Sequence, residues 1–82
     1  MITFYRHKNP EQTFDPESHA YLVRYTSKYR GPLCLYPMKD TDRPTPFSGL
    51  WEKFEPVSAN EVPLEVRQMA YARLGGFIRH LK

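Results

Sequence analysis

Hydrophobic and polar residues alternate in two stretches of the first half of the chain. Residues 2–6 place Ile2 and Phe4 on one side, and residues 20–27 are rich in aromatic and β-branched side chains. A period of two is typical of a strand. A further apolar run, residues 33–36, follows a turn at residues 27–32. Because a parallel crossover needs about a dozen residues or more, the strands at 20–27 and 33–36 are predicted to be antiparallel.

The segments around these strands contain residues that are typical of turns and loops. Residues 9–18 read as a loop with one turn of helix starting at Pro16, and the prolines and glycine within residues 37–49 preclude a central strand or a helix. We expect Phe47 to pack down and order this second loop. Residues 50–57 resume a strand-like pattern with irregular alternation, which predicts a bulge or burial on both faces.

The most strongly marked element is a C-terminal helix over residues 63–81. Pro63 suits the first helical position, and Glu65 lies in the first turn, where the helix dipole favours an acid. At about 100° per residue, six apolar side chains fall in one stripe that should cover the sheet. They are Val66, Ala70, Leu74, Phe77, Ile78 and Leu81.

The glycine pair Gly75-Gly76 leaves two interpretations of this helix open. It could end the helix as a left-handed cap after Leu74. The apolar period nevertheless continues in register beyond the pair, which favours one uninterrupted helix. Together the elements predict a single α+β domain over residues 1–82, with three or four antiparallel strands covered by one helix. A barrel-like closure of the sheet is compatible with this pattern.

Composition narrows the class of protein. Cys34 is the single cysteine, so no internal disulfide forms, and we expect it to be a small buried hydrophobe in a reducing compartment. No stretch of residues has the length and apolarity of a signal peptide or a membrane span. The sequence therefore predicts a soluble cytoplasmic protein with no membrane partner.

No motif for catalysis, cofactor binding or metal binding is recognisable. Ser48 lacks the setting of a strained nucleophile elbow, there is no phosphate-binding glycine loop, and the three histidines and Cys34 lack the paired spacing of metal ligands. We therefore predict a protein that is not an enzyme and has no cofactor. A deep pocket lined by Asp15, Glu17 or His19 would instead favour a small hydrolase or transferase.

A second face of the helix is the most distinctive local feature. It is nearly smooth, and it combines small residues with a methionine and a cation: Met69, Ala72, Gly75, Gly76 and Arg79. Glycine in a helix interior costs about 1 kcal/mol relative to alanine, so two in succession need a compensating reason. Close packing against a second copy, or against another part of the chain, would supply one. The leading hypothesis is a non-catalytic protein-interaction module that forms a homo-oligomer through this face.

Nucleic-acid binding is the alternative function. Cations stand beside an aromatic ring on the second strand and its turn, at Arg24, Lys28, Tyr29 and Arg30, and such surfaces stack bases and neutralise phosphates. The charge distribution argues against one continuous basic stripe. Residues 1–36 contain five Lys/Arg and three Asp/Glu, residues 37–62 three and five, and residues 63–82 four and one.

Overall fold

A computed structural model of the protein describes residues 2–12, 15–26, 32–39, 45–46 and 51–81. The strands are β1 (Ile2–His7), β2 (Tyr21–Tyr25), β3 (Leu33–Leu35), β4 (Thr45–Pro46) and β5 (Phe54–Val57). The α-helices are α1 (Pro16–His19) and α2 (Leu64–Leu81). Short 3₁₀ turns occupy Pro10–Gln12, Trp51–Lys53 and Ala59–Glu61. The predicted Phe47 packing lies outside the described residues.

The strands form one open antiparallel sheet in the order β4-β3-β2-β1-β5. Four of them have three residues or more, and β4 is a two-residue strand at one edge. The predicted α+β fold with an antiparallel sheet and a C-terminal helix is therefore confirmed. Barrel closure does not occur, because β4 and β5 lie at opposite edges of the sheet.

The helix packs on one face of the sheet. Cross-strand register aligns Phe4 with Val23 and Val57, and Val23 with Leu35, so these side chains share that face. Val66, Ala70 and Leu74 of α2 bury themselves against it, as the apolar stripe predicts. The buried cluster, here called the helix-side core, consists of Phe4, Val23, Leu35, Val62, Val66, Ala70 and Leu74.

The opposite face of the sheet is also buried at its centre. Its cluster contains Tyr5, Leu22, Cys34 and Phe54, with Tyr36 packed beside them. Leu22 is completely inaccessible to solvent and Cys34 is 2% exposed. The prediction that Cys34 is a small buried hydrophobe is confirmed, and the alternating pattern of β2 has apolar residues on both sides because both are covered.

Two local predictions differ from the structure. The strand predicted over residues 50–57 is shorter, because Trp51–Lys53 form a 3₁₀ turn and only Phe54–Val57 form a strand. The predicted burial on both faces is confirmed there, since Phe54 is buried opposite α2 and Val57 packs against the helix-side core. The helix begins one residue later than predicted. The carbonyl of Pro63 accepts the Arg67 N–H at 3.1 Å, so Pro63 caps the helix rather than occupying its first position.

The glycine pair does not end the helix. α2 continues through both glycines to Leu81, as the uninterrupted apolar period predicts. Its side chains are described as far as Gly75, so the packing of Phe77, Ile78 and Leu81 lies outside the described part of the chain.

Candidate functional site

The surface of α2 that points away from the sheet is the principal candidate site. Helical spacing places one set of residues roughly opposite the buried stripe, and all of them are exposed or partly exposed. We call this set the outer face of α2: Leu64, Gln68, Tyr71, Ala72 and Gly75. Leu64 is 59% exposed and Tyr71 49%, which makes them the most exposed large apolar side chains among the described residues. The outer face therefore exposes large apolar side chains to solvent.

Gly75 lies in the interior of the helix, and no contact among the described residues requires glycine there. Apart from its chain neighbours and the adjacent backbone of its own helix, a Cβ atom placed on it would meet no heavy atom of the described structure within 4 Å, and its backbone is helical. Neither a left-handed conformation nor close packing against a described part of the same chain explains the residue. The sequence analysis gives two possible reasons for the glycine, close packing against a second copy or against another part of the chain. The described structure does not support the second reason at Gly75.

The predicted interface residues divide into three groups. Ala72 and Gly75 lie on the outer face, whereas Met69 is half-buried at its margin. The side chains at Gly76 and Arg79 lie outside the described residues, although both positions belong to α2.

Sequence reasoning missed Leu64 and Tyr71, which are the largest apolar groups of the outer face. Tyr71 touches the helix-side core through an edge-to-face contact with Phe4, at 6.0 Å between ring centroids, while the rest of its side chain faces solvent. The signal that could have found them is their seven-residue spacing, which puts both beside Ala72 and Gly75 rather than in the buried stripe.

Charge changes sign along α2. The exposed acids Glu61 and Glu65 lie before and within its first turn. The charged residues after Glu65 are all basic: Arg67, Arg73, Arg79 and Lys82. The helix is thus acidic at its start and basic towards its end.

Both edges of the sheet contain a proline. At one edge, the Lys8 N–H donates to the Lys53 carbonyl at 3.0 Å, which fixes the alternation of hydrogen-bonded pairs between β1 and β5. By that alternation the nitrogen of Pro56 points to the open edge, and it has no hydrogen to donate. The other edge strand, β4, has only two residues, of which Pro46 is one. Prolines on edge strands hinder the pairing of a second sheet.

The predicted nucleic-acid surface is described only in part. Arg24 is half-buried on the sheet face opposite α2, with its guanidinium carbon 5.5 Å from the centre of the Tyr5 ring. Lys28, Tyr29 and Arg30 lie outside the described residues. The described rings on that face pack on one another: His7 on Phe54 at 5.0 Å and His19 on Tyr36 at 4.4 Å.

The polar residues around α1 form a helix-capping arrangement. Asp15 Oδ1 accepts the Ser18 N–H at 3.4 Å, and the His19 ring nitrogen Nδ1 lies 3.1 Å from the Asp15 carbonyl oxygen. The Ser18 hydrogen bonds lower the pKa of the Asp15 carboxyl below its ordinary value. Glu17 is exposed beside them. The contacts of Asp15 are local to one helical turn and are those of a helix N-cap.

Ligand-binding and membrane-spanning features were sought among the same residues. Within the described ranges, no three His, Cys, Asp or Glu side chains come together as a metal site would require. No described helix combines the length and apolarity needed to cross a bilayer. Comparison with protein-family models, with curated proteins and with solved structures finds no match to the chain.

Proposed function

We propose that this protein is a non-catalytic interaction module, cytoplasmic in location, that associates with a second copy of itself through the outer face of α2. The observation that carries the proposal is the exposure of Leu64 and Tyr71 beside Gly75, whose missing side chain nothing in the described fold requires. Removing apolar surface from water is favourable, and small residues let a second backbone approach closely.

The arrangement of the sheet supports a helix-mediated contact over an edge-mediated one. Pro56 hinders strand addition at the β5 edge, and the β4 strand at the other edge has only two residues. The small size of the chain supports association as well, because a domain of 82 residues buries a limited fraction of its surface on folding. A partner that covers the outer face adds to that burial.

Sedimentation equilibrium over a range of protein concentrations tests the proposal. The unmodified protein should form a dimer, and Leu64→Glu should raise the dimer dissociation constant by about tenfold or more because it buries a charge in the contact. Gly75→Leu should act in the same direction, since its side chain enters open space in the single chain but blocks a second helix.

Asn60→Glu is the matched control for Leu64→Glu. It adds the same charge at an exposed position four residues earlier, outside α2, and should leave the dissociation constant unchanged. Circular dichroism verifies that each variant is folded. A monomer at all concentrations in the unmodified protein would refute the proposal.

A further inference from the structure

Three residues of α2 repeat at an interval of seven and differ in charge. Glu65, Ala72 and Arg79 are seven residues apart, and seven residues make about two helical turns, so these positions fall on one side of the helix. Glu65 and Ala72 are exposed, and Ala72 lies midway between the acid and the base. The helix therefore carries a pattern in which one end complements the other.

We propose that α2 pairs with α2 of a second copy in antiparallel orientation, with the two-fold axis passing beside Ala72. This proposal rests on the self-association proposed above and specifies its geometry. A two-fold axis at Ala72 exchanges residues equally distant from it, because a symmetric interface uses the same patch on both copies. Glu65 of each copy then lies opposite Arg79 of the other. Two equivalent ion pairs, one at each end of the contact, result from this arrangement.

The charge pattern distinguishes this orientation from the parallel one. In a parallel pair each residue faces its own equivalent, which sets Glu65 against Glu65 and Arg79 against Arg79. Like charges in apposition are destabilising, and opposite charges are favourable. Antiparallel helices also place the positive end of one helix dipole beside the negative end of the other.

The small residues fit the same register. About the axis at Ala72, Gly75 lies opposite Met69 of the second copy, so the position with no side chain meets a long flexible one. Two alanines at the axis let the helices approach at about 8 Å between axes, the short end of the usual range. Leu64 and Tyr71 then lie along one flank of the contact, where the second helix covers surface that is exposed in the single chain.

A second copy is the occupant that these observations select. The acidic start and basic end of α2 complement the same helix reversed, which requires no additional partner of matched charge. An unrelated protein helix would need to reproduce the pattern independently.

Disulfide cross-linking tests the orientation. Two cysteines can be joined when their Cα atoms lie within about 7 Å. Ala72→Cys should form a covalent dimer under mild oxidation, because each Ala72 faces its equivalent at the axis. Glu65→Cys alone should not cross-link, whereas a mixture of Glu65→Cys and Arg79→Cys chains should give the mixed dimer. The unmodified protein is the control, since Cys34 is buried.

Charge reversal provides an independent test in solution. Glu65→Arg and Arg79→Glu should each raise the dimer dissociation constant about tenfold at low salt, and the double variant should return it to within about twofold of the original. Glu11→Arg, an exposed reversal outside α2, should have no such effect.

The outcomes separate this geometry from self-association itself. A dimer in which Ala72→Cys does not cross-link, or in which Glu65→Cys alone cross-links as readily, overturns the antiparallel register but leaves the proposed function standing. Failure of the double variant to restore affinity also overturns the register. A monomeric unmodified protein removes both.

Discussion

The carboxylate of Asp15 determines where α1 begins. It accepts the Ser18 N–H in the first turn of a four-residue helix, and hydrogen bonds from the Ser18 side chain and from this N–H lower its pKa. A carboxyl whose pKa is lower in the folded state than in the unfolded chain stabilises the fold at pH values above its unfolded pKa of about 3.9. This contribution disappears as the pH falls through the folded pKa.

Asp15→Asn should separate the charge from the capping function. Asparagine also caps helices but does not titrate, so the variant should be less stable than the original protein at pH 7, and the difference should shrink as the pH falls below about 4. Thermal unfolding across this range measures it. A carboxyl NMR titration that gave Asp15 a pKa at or above about 3.9 would contradict the structure.

Individual burial could be predicted from the sequence where a residue lies within a regular pattern. Cys34 lies between two leucines, and it is buried. The burial of Leu64 and Tyr71 could not be predicted in this way. An apolar residue beside the buried stripe of a helix packs inward or faces solvent according to how far the sheet extends beneath it. Tyr71 does both, with one ring edge on Phe4 and the remainder exposed.

At the scale of the element, the described side chains of α2 include one leucine in the core and one on the outer face. Leu74 is 1% exposed and Leu64 is 59% exposed. Leu74→Ala should lower the free energy of unfolding by about 2–5 kcal/mol, since it removes buried methyl groups and leaves a cavity. Leu64→Ala should change it by no more than about 0.5 kcal/mol. Urea unfolding at concentrations below dimer formation measures both, and equal losses would contradict the assigned faces.

Gly75 should be replaceable in the single chain. Its backbone is helical and a Cβ enters open space, so Gly75→Ala should raise the free energy of unfolding of the monomer by up to about 1 kcal/mol. Ala72→Gly, at an exposed position of the same helix, should lower it by a similar amount. Urea unfolding at low protein concentration is again the measurement. A destabilising Gly75→Ala would show that the chain itself needs the glycine.

Elements could be predicted where their signals are local. The helical period of α2 and the alternation in β2 each lie within one segment, and both elements form there. The pairing of β1 with β5 joins residues about fifty positions apart, so no local pattern specifies it. The 3₁₀ turn at Trp51–Lys53 was missed because a strand-like composition continues through it.

At the scale of the whole molecule, the β5 edge of the sheet is poorly suited to extension. Along β5, the Arg6 guanidinium donates to Glu55 Oε1 at 2.8 Å and holds the strand against β1. This contact raises the pKa of Arg6 above its ordinary value. Pro56 removes one outward donor from the same edge. Association through α2 is consistent with this edge, because a contact between helices leaves β5 exposed to solvent and does not require it to pair with another strand.

Restoring a backbone N–H at position 56 should weaken the resistance of the β5 edge to pairing. Pro56→Thr places an N–H on the open side of β5, where a strand from another molecule can accept its hydrogen bond, and threonine also favours extended backbone. We expect the variant to form larger assemblies on warming at high concentration, detected by light scattering and thioflavin fluorescence. Pro32→Thr, at an exposed position just before β3, is the control and should remain unchanged. If the two variants behave alike, Pro56 does not protect the edge, and the preference for α2 must rest on the outer face alone.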